Sequence, residues 1–283
     1  MRATPVIDPR GGGAKSISAL GLGCSQIGSL GHPASMGAWR VLIDRALDLG
    51  VTVFDTADIY GQGDSERAIG QALAGRRQAG FVVTKVGKGF SPVMGALRPF
   101  KPILKPILAR ASGARAAVRG QREGIMREDF SPPHLRQAID ASLRRLRTEQ
   151  VDVLLLHGPS AEVYRDPAVA EALADILAAG KAARIGGSVE AMDDLEAALA
   201  MPGLGALQMS LGLFDAAEAA GLTKTFVERG LVVMLREVVR AQPHRSPVDA
   251  VSAALGRPGV ASVIVGTGNP AHLAALAALE NGA

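Results

Sequence analysis

The sequence predicts an α/β fold, a (β/α)8 TIM barrel, on three observations: a fitting length, short apolar runs alternating with amphipathic stretches, and polar residues closing successive apolar runs. At 283 residues the chain exceeds one small domain but is close to the size of an α/β barrel, so residues 1–283 are expected to form a single domain. Hydrophobic residues make up 48% and charged residues 20%, enough apolar material for a large core and too much for a disordered chain. The predicted strands are 17–20, 52–55, 81–85, 152–156, 183–187, 206–210, 231–235 and 262–265. Between them, stretches such as RVLIDRALDLG and EALADILAAGK run apolar at helical spacing into a glycine, which accepts the left-handed backbone that closes a helix. An open doubly wound sheet would show the same alternation, so the decision falls to where the polar residues sit.

One stretch breaks the rhythm. Residues 87–132 form a long insertion after the third strand, far beyond an ordinary βα connection, and are read as an inserted loop or lid. Because the insertion leaves the C-terminal end of a strand, it departs from the face on which barrels build their sites. Its apolar residues Phe90, Met94, Leu97, Phe100, Ile103 and Leu104 suit a substrate wall. Much of the chain's net charge of +4 is here, in Arg98, Lys101, Lys105, Arg110, Arg115, Arg119, Arg122 and Arg127, opposed mainly by Glu123.

Composition also excludes several classes. Aromatic residues are only 4%, so the basic excess lacks the stacking partners and motifs of a nucleic-acid binder, and none is expected. The single cysteine, Cys24, excludes an intrachain disulfide framework and a multi-cysteine zinc site; no metal is expected, and Cys24 is read as a small packing residue. The opening MRATPVIDPRGGGAKS has no apolar run of signal-peptide length, and no later stretch suits a membrane span, so a cytoplasmic protein without a membrane partner is expected. The sequence gives no oligomeric state.

The chemistry concentrates in FDTADIYGQGDSERAIGQAL, residues 54–73. Asp55 ends a buried strand, a costly place for a carboxylate unless something pairs with it. Lys85, closing FVVTK on the next strand, is the expected partner, and His157 closes VDVLLLH. With Tyr60 in the loop above Asp55, four ionisable groups gather on one rim. Such a set suits protonation of a carbonyl oxygen during hydride transfer, with Lys85 and His157 expected to lower the tyrosine's pKa from about 10. Asp55 with Lys85 as a plain structural ion pair is the blander alternative.

Together with GLGCSQIG, VVTKVG, VDVLLLHGP, GKAARIGGS, LQMS and VIVGTGNPAHL, this motif resembles the aldo-keto reductase superfamily over nearly the whole chain. The resemblance implies a (β/α)8 barrel that mostly uses NADP(H), with NAD possible here, and a catalytic tetrad at Asp55, Tyr60, Lys85 and His157. Asp55 is also carried to the cofactor site. There the resemblance places Gly21, Leu22 and Gly23 along the cofactor, Ser188 and Gln208 on the nicotinamide carboxamide, and Gly266, Thr267, Gly268 and Asn269 near the phosphates. For the last group the residues agree: GTGN before a Pro-initiated helix offers backbone N–H groups to an anion. Gln208 could equally serve a strand-end hydrogen bond.

The sequence departs from the family pattern in three places. Val189 stands where many members have Asn. Arg236, followed by Glu237, stands where many place an aromatic ring against the nicotinamide; a guanidinium can stack there, and its charge leans toward the reduced cofactor unless Glu237 neutralises it. Gly266 and His272 occupy positions where basic residues often grip the 2′-phosphate, which leaves selectivity for NADP without its main electrostatic source. The expected activity is NAD(P)(H)-dependent transfer of hydride between nicotinamide and a carbonyl or alcohol carbon of a small molecule, with Tyr60 as acid. The alternatives are an alcohol or sugar dehydrogenase working oxidatively, and a nicotinamide-binding regulatory subunit resembling potassium-channel β subunits.

Overall fold

A computed structural model describes residues 4–6, 15–29, 32, 34–90 and 126–281. Its strands are β1 (Thr4–Val6), β2 (Lys15–Ile17), β3 (Leu20–Gly23), β4 (Val53–Asp55), β5 (Phe81–Val86), β6 (Lys88–Phe90), β7 (Met126–Glu128), β8 (Val153–His157), β9 (Ile185–Ser188), β10 (Leu204–Ser210), β11 (Val232–Arg236) and β12 (Val260–Val265). Eight of them, β3, β4, β5, β8, β9, β10, β11 and β12, pair in that order, and β12 returns to β3 to close a parallel barrel. Closure, and not the open doubly wound sheet, is what the polar strand ends implied.

Helices α1 (Met36–Asp48), α2 (Asp64–Ala72), α3 (Pro132–Leu146), α4 (Ala161–Arg165), α5 (Pro167–Ala178), α6 (Met192–Ala200), α7 (Leu211–Ala219), α8 (Leu222–Glu228), α9 (Val238–Ala241), α10 (Pro247–Leu255) and α11 (Pro270–Asn281) connect the strands. Among the described residues no helix is long and apolar enough to cross a membrane. The glycines after α1 and α5, Gly50 (φ 82°) and Gly180 (φ 76°), adopt the left-handed backbone their positions suggested.

Side chains alternate across each strand, and this pleat positions the site. Leu22, Phe54, Val82, Leu154, Leu156, Leu207 and Leu235 belong to the outer core between strands and helices. Val53, Phe81, Val83, Val153, Leu155, Ala206, Met234 and Ile264 fill the barrel interior, joined by Ile17. Stepping two residues from an interior residue reaches the rim: Val53 to Asp55, Val83 to Lys85, Leu155 to His157, Ala206 to Gln208, Met234 to Arg236.

The first predicted strand, 17–20, straddles a break. The Ser18 hydroxyl accepts from the N–H groups of Thr52 (2.9 Å) and Val53 (3.2 Å) and donates to the Leu20 carbonyl (2.6 Å), which separates β2 from β3. β2 instead pairs antiparallel with β1. Beside it Asp152 gathers Lys15 (2.8 Å), Arg77 (2.7 Å) and the Val82 N–H (2.7 Å), which ties together the N-terminal ends of β5 and β8.

After β5 the predicted insertion begins with β6 and ends with β7, which pair antiparallel, Lys88 opposite Glu128. Residues 91–125, with the predicted wall residues Met94, Leu97, Phe100, Ile103 and Leu104, lie outside the described residues.

Candidate active site

A cavity of about 840 Å³ opens at the C-terminal end of the barrel. Gly23, Asp55, Tyr60, Lys85, His157, Ser188, Gln208, Arg236, Gly266 and Thr267 line it, ten of the residues singled out from sequence. Four others do not line it. Leu22 points away, into the outer core at 1% exposure, because the pleat alternates. Gly21 faces inward one layer too deep: a Cβ there would sit 2.4 Å from Ile264 Cδ1 and 3.0 Å from Val53 Cγ1. Gly268 packs toward Trp39 and His32, and the Asn269 carboxamide accepts from the Ala271 N–H at 2.9 Å. The Asn269 N–H in turn donates to the Thr267 hydroxyl (3.0 Å). Two of the N–H groups expected to be open to an anion are therefore already engaged.

The ionisable cluster is dense. Lys85 Nζ donates to Asp55 Oδ1 at 2.5 Å and to the Thr56 carbonyl at 3.0 Å, and the same Oδ1 accepts from Gln208 Nε2 at 2.9 Å. Gln208 thus makes the strand-end hydrogen bond that sequence left as an alternative, and it buttresses the carboxylate from the far side of the barrel. Lys85 Nζ also lies 5.2 Å from the centre of the Tyr60 ring. The His157 ring meets Tyr60 edge-on, with centroids 5.7 Å apart and an interplanar angle of 86°.

Tyr60 is held by an unusual turn. Gly61, Gln62 and Gly63 all have positive φ (58°, 59° and 83°) before α2 begins. A Cβ on Gly61 would lie 2.4 Å from the Ile27 carbonyl oxygen, so only glycine permits this approach. Behind the turn, Glu66 is fully buried and bonded by Thr84 (2.7 Å) and Arg145 (2.5 Å). Asp58 Oδ1, buried without a hydrogen-bond partner among the described residues, carries no role in the sequence reading; burial, then the neighbouring Glu66, pushes its carboxyl well above the usual range.

The titration of the cluster corrects one expectation. Burial raises the Tyr60 phenol above its ordinary value of 10, and the Lys85 cation only partly reverses this. His157 gives no cationic help: burial, then the positive charges of Lys85, Lys88 and Arg236, hold its imidazole well below 6.5 and uncharged at neutral pH. Burial alone would depress the Lys85 ammonium, but Asp55 and Tyr60 outweigh it and raise the group. The set is thus a protonated phenol beside a lysine cation and a neutral imidazole.

At the opposite wall Arg236 is clamped by Glu190 (2.5 Å) and Glu237 (3.1 Å). Two carboxylates neutralise it where sequence foresaw one, which removes the lean toward a reduced cofactor. Glu190 escaped the sequence reading, although its place two residues beyond β9, on the site face, was the available signal. Val189, in place of the expected Asn, is fully buried in the outer core, and its N–H bonds the Gln208 carbonyl (2.9 Å). Arg240, Val248 and Leu276 also line the cavity and were not foreseen. Cys24 is buried beside the site, and burial drives its thiol far above its ordinary value, in keeping with a packing role. Among the described residues no cluster of His, Cys, Asp and Glu could hold a metal ion.

A parallel eight-stranded barrel with an ionisable quartet at its C-terminal rim defines a class of (β/α)8 proteins with the site built on strand ends. Residues 19–242 match the aldo/keto reductase family, and the chain belongs to it. A similar protein is the aldo-keto reductase yakc of Schizosaccharomyces pombe, whose name specifies NADP(+), 28% identical over 205 residues. That alignment covers 72% of this chain and 52% of the relative, so the chain spans about half the relative's length. Among solved structures, an aldo-keto reductase from Bacillus halodurans in its holo form superposes with a TM-score of 0.71 at 23% identity, covering 94% of this chain and 87% of that one. An aldo-keto reductase from Klebsiella pneumoniae in complex with NADPH gives 0.68 at 22%, covering 99% and 90%. At these identities the two structures speak to the fold.

Proposed function

We propose that the chain, as one barrel domain, reduces the carbonyl group of a small molecule with NADPH, Tyr60 delivering the proton. The observation that carries this reading is the convergence of Tyr60, Lys85, Asp55 and His157 on one cavity. The names of the fission-yeast relative and of the Klebsiella complex both carry the phosphorylated cofactor, which supports NADPH over NADH.

The residues present fit such a dinucleotide. Gly23 and Gly266, at the ends of the paired strands β3 and β12, line the cavity without side chains, a Cβ on Gly23 falling 3.5 Å from Gly266 Cα, and let backbone form this part of the wall. Ser188 and Gln208 offer uncharged polar groups suited to a carboxamide, and Arg236, clamped by its two carboxylates, offers a flat face with little net charge. When bound, the reduced nicotinamide supplies hydride.

The chain's own residues do the rest. Tyr60, protonated at neutral pH as an ordinary phenol is and held so by a burial that raises its pKa further, donates its phenolic proton to the carbonyl oxygen. The Lys85 ammonium stabilises the phenolate left behind, and Asp55, buttressed by Gln208, keeps that ammonium charged and in place. His157, uncharged, orients the oxygen through a ring N–H without competing for the proton.

Replacing Tyr60 by Phe removes the proton donor and nothing that holds the cofactor. We expect kcat to fall by at least about 100-fold on an aldehyde panel while Kd for NADPH stays within about twofold. Wild-type kcat in the Phe variant would remove Tyr60 from the reaction.

A further inference from the structure

Every acidic residue in the cavity wall is already spoken for. Asp55 is paired with Lys85, and Glu190 and Glu237 with Arg236. One guanidinium in the same wall has no such partner. Arg240, on α9, is exposed, and among the described residues no carboxylate bonds or pairs with it. Its surroundings differ from the polar cluster at the strand ends. Val239 on α9, Val248 on α10, and Ala275 and Leu276 on α11 make this section of the wall apolar, with His272 the other polar side chain that α11 contributes. An apolar wall crossed by one uncompensated cation suits a flat heteroaromatic group that carries an anionic substituent.

We infer that Arg240 is the residue by which this protein distinguishes a 2′-phosphorylated dinucleotide from the unphosphorylated one. The inference rests on the dinucleotide reading above. If the nicotinamide lies against Tyr60 and the strand ends, the section between α9, α10 and α11 is left for the adenosine half. The GTGNPAH segment is poorly equipped to hold the extra phosphate: Gly266 has no side chain, and the N–H groups of Asn269 and Ala271 are bonded internally. Arg240 approaches from the neighbouring connection, after β11, and supplies the fixed charge that the connection after β12 lacks. Its planar fork can give two parallel N–H donors to one phosphate. The clamping of Arg236 strengthens the assignment, since that cation is committed to two carboxylates.

The test is equilibrium binding to the purified full chain, with no turnover required. NADPH and NADH are titrated by fluorescence, and 2′,5′-ADP and 5′-AMP by calorimetry, against wild type, Arg240→Met and Arg240→Lys. Arg240→Met should weaken NADPH and 2′,5′-ADP by about 10- to 100-fold while NADH and 5′-AMP change by less than about twofold. Arg240→Lys, which keeps the charge and loses the fork, should recover part of the difference and shows that the site still folds. Equal weakening of NADPH and NADH would place Arg240 on the shared pyrophosphate and overturn the inference, as would no change for either. A wild-type protein that binds neither dinucleotide would refute the nicotinamide reading itself, an outcome distinct from a failure confined to Arg240.

Discussion

Removing the charge of Lys85 alone should cost this protein about as much stability as removing the charges of Lys85 and Asp55 together. Lys85 is 1% exposed and the Asp55 side chain 10%, with 2.5 Å between Nζ and Oδ1. At an effective dielectric of roughly 20 the gross attraction is about 7 kcal/mol, most of it offset by the cost of taking both charges out of water. Lys85→Met leaves Asp55, among the described residues, with the Gln208 amide as its side-chain donor, and Asp55→Asn leaves the ammonium with the Thr56 carbonyl and the Tyr60 hydroxyl, neither of them charged. Each single change should therefore cost about 3–5 kcal/mol, the usual penalty for an orphaned buried charge. In the double variant both charges vanish and the loss should approach that of one single, a coupling of at least about 2 kcal/mol. Urea unfolding of the four proteins with a common m-value measures this directly. Additive losses, with coupling below about 0.5 kcal/mol, would show that Lys85 does not compensate Asp55 in the folded protein.

Three further outcomes follow from the same structure. His157 is depressed in the folded state, so below about pH 6.5 the unfolded chain takes up a proton that the folded one refuses. Stability should therefore fall with decreasing pH by up to about 1.4 kcal/mol per unit over that window, and His157→Gln should flatten the slope; an unchanged slope would contradict the neutral imidazole. Gly186→Ala would place a Cβ 1.9 Å from the Ala206 carbonyl oxygen in the neighbouring strand, where backbone cannot yield, so about 3 kcal/mol or more should be lost in urea unfolding. Cys24, buried with its thiol driven upward, should resist iodoacetamide in the native protein and react once it is unfolded; fast native labelling would mean the site opens.

Much of the barrel was legible because a pleat has period two. In FVVTK and VDVLLLH the apolar residues dictate which side chains face inward, and Lys85 and His157 then fall on the rim by counting. Counting failed where side chains redirected the backbone. Ser18 splits the first predicted strand by capturing Thr52, Val53 and Leu20, and the first two of these lie 34 and 35 residues away, which no local pattern contains. Gly21 and Leu22 were grouped with Gly23, yet alternation and depth leave only Gly23 at the cavity. The titration was illegible for a different reason. Proximity of Lys85 to Tyr60 suggested a lowered phenol, but the size of the opposing burial emerges only once the barrel rim has closed around the ring. Arg240 gave no signal because α9 is four residues long and shows no periodicity to read.

Asp152 sits at the end of the barrel remote from the quartet, where it fastens Lys15, Arg77 and the start of β5 to the start of β8. The registry of these two staves is therefore anchored from below, independently of whatever the rim carries. That separation makes the upper loops a region open to evolutionary tinkering: altered substrate preferences can be tried there one residue at a time, with the cylinder itself underwritten elsewhere.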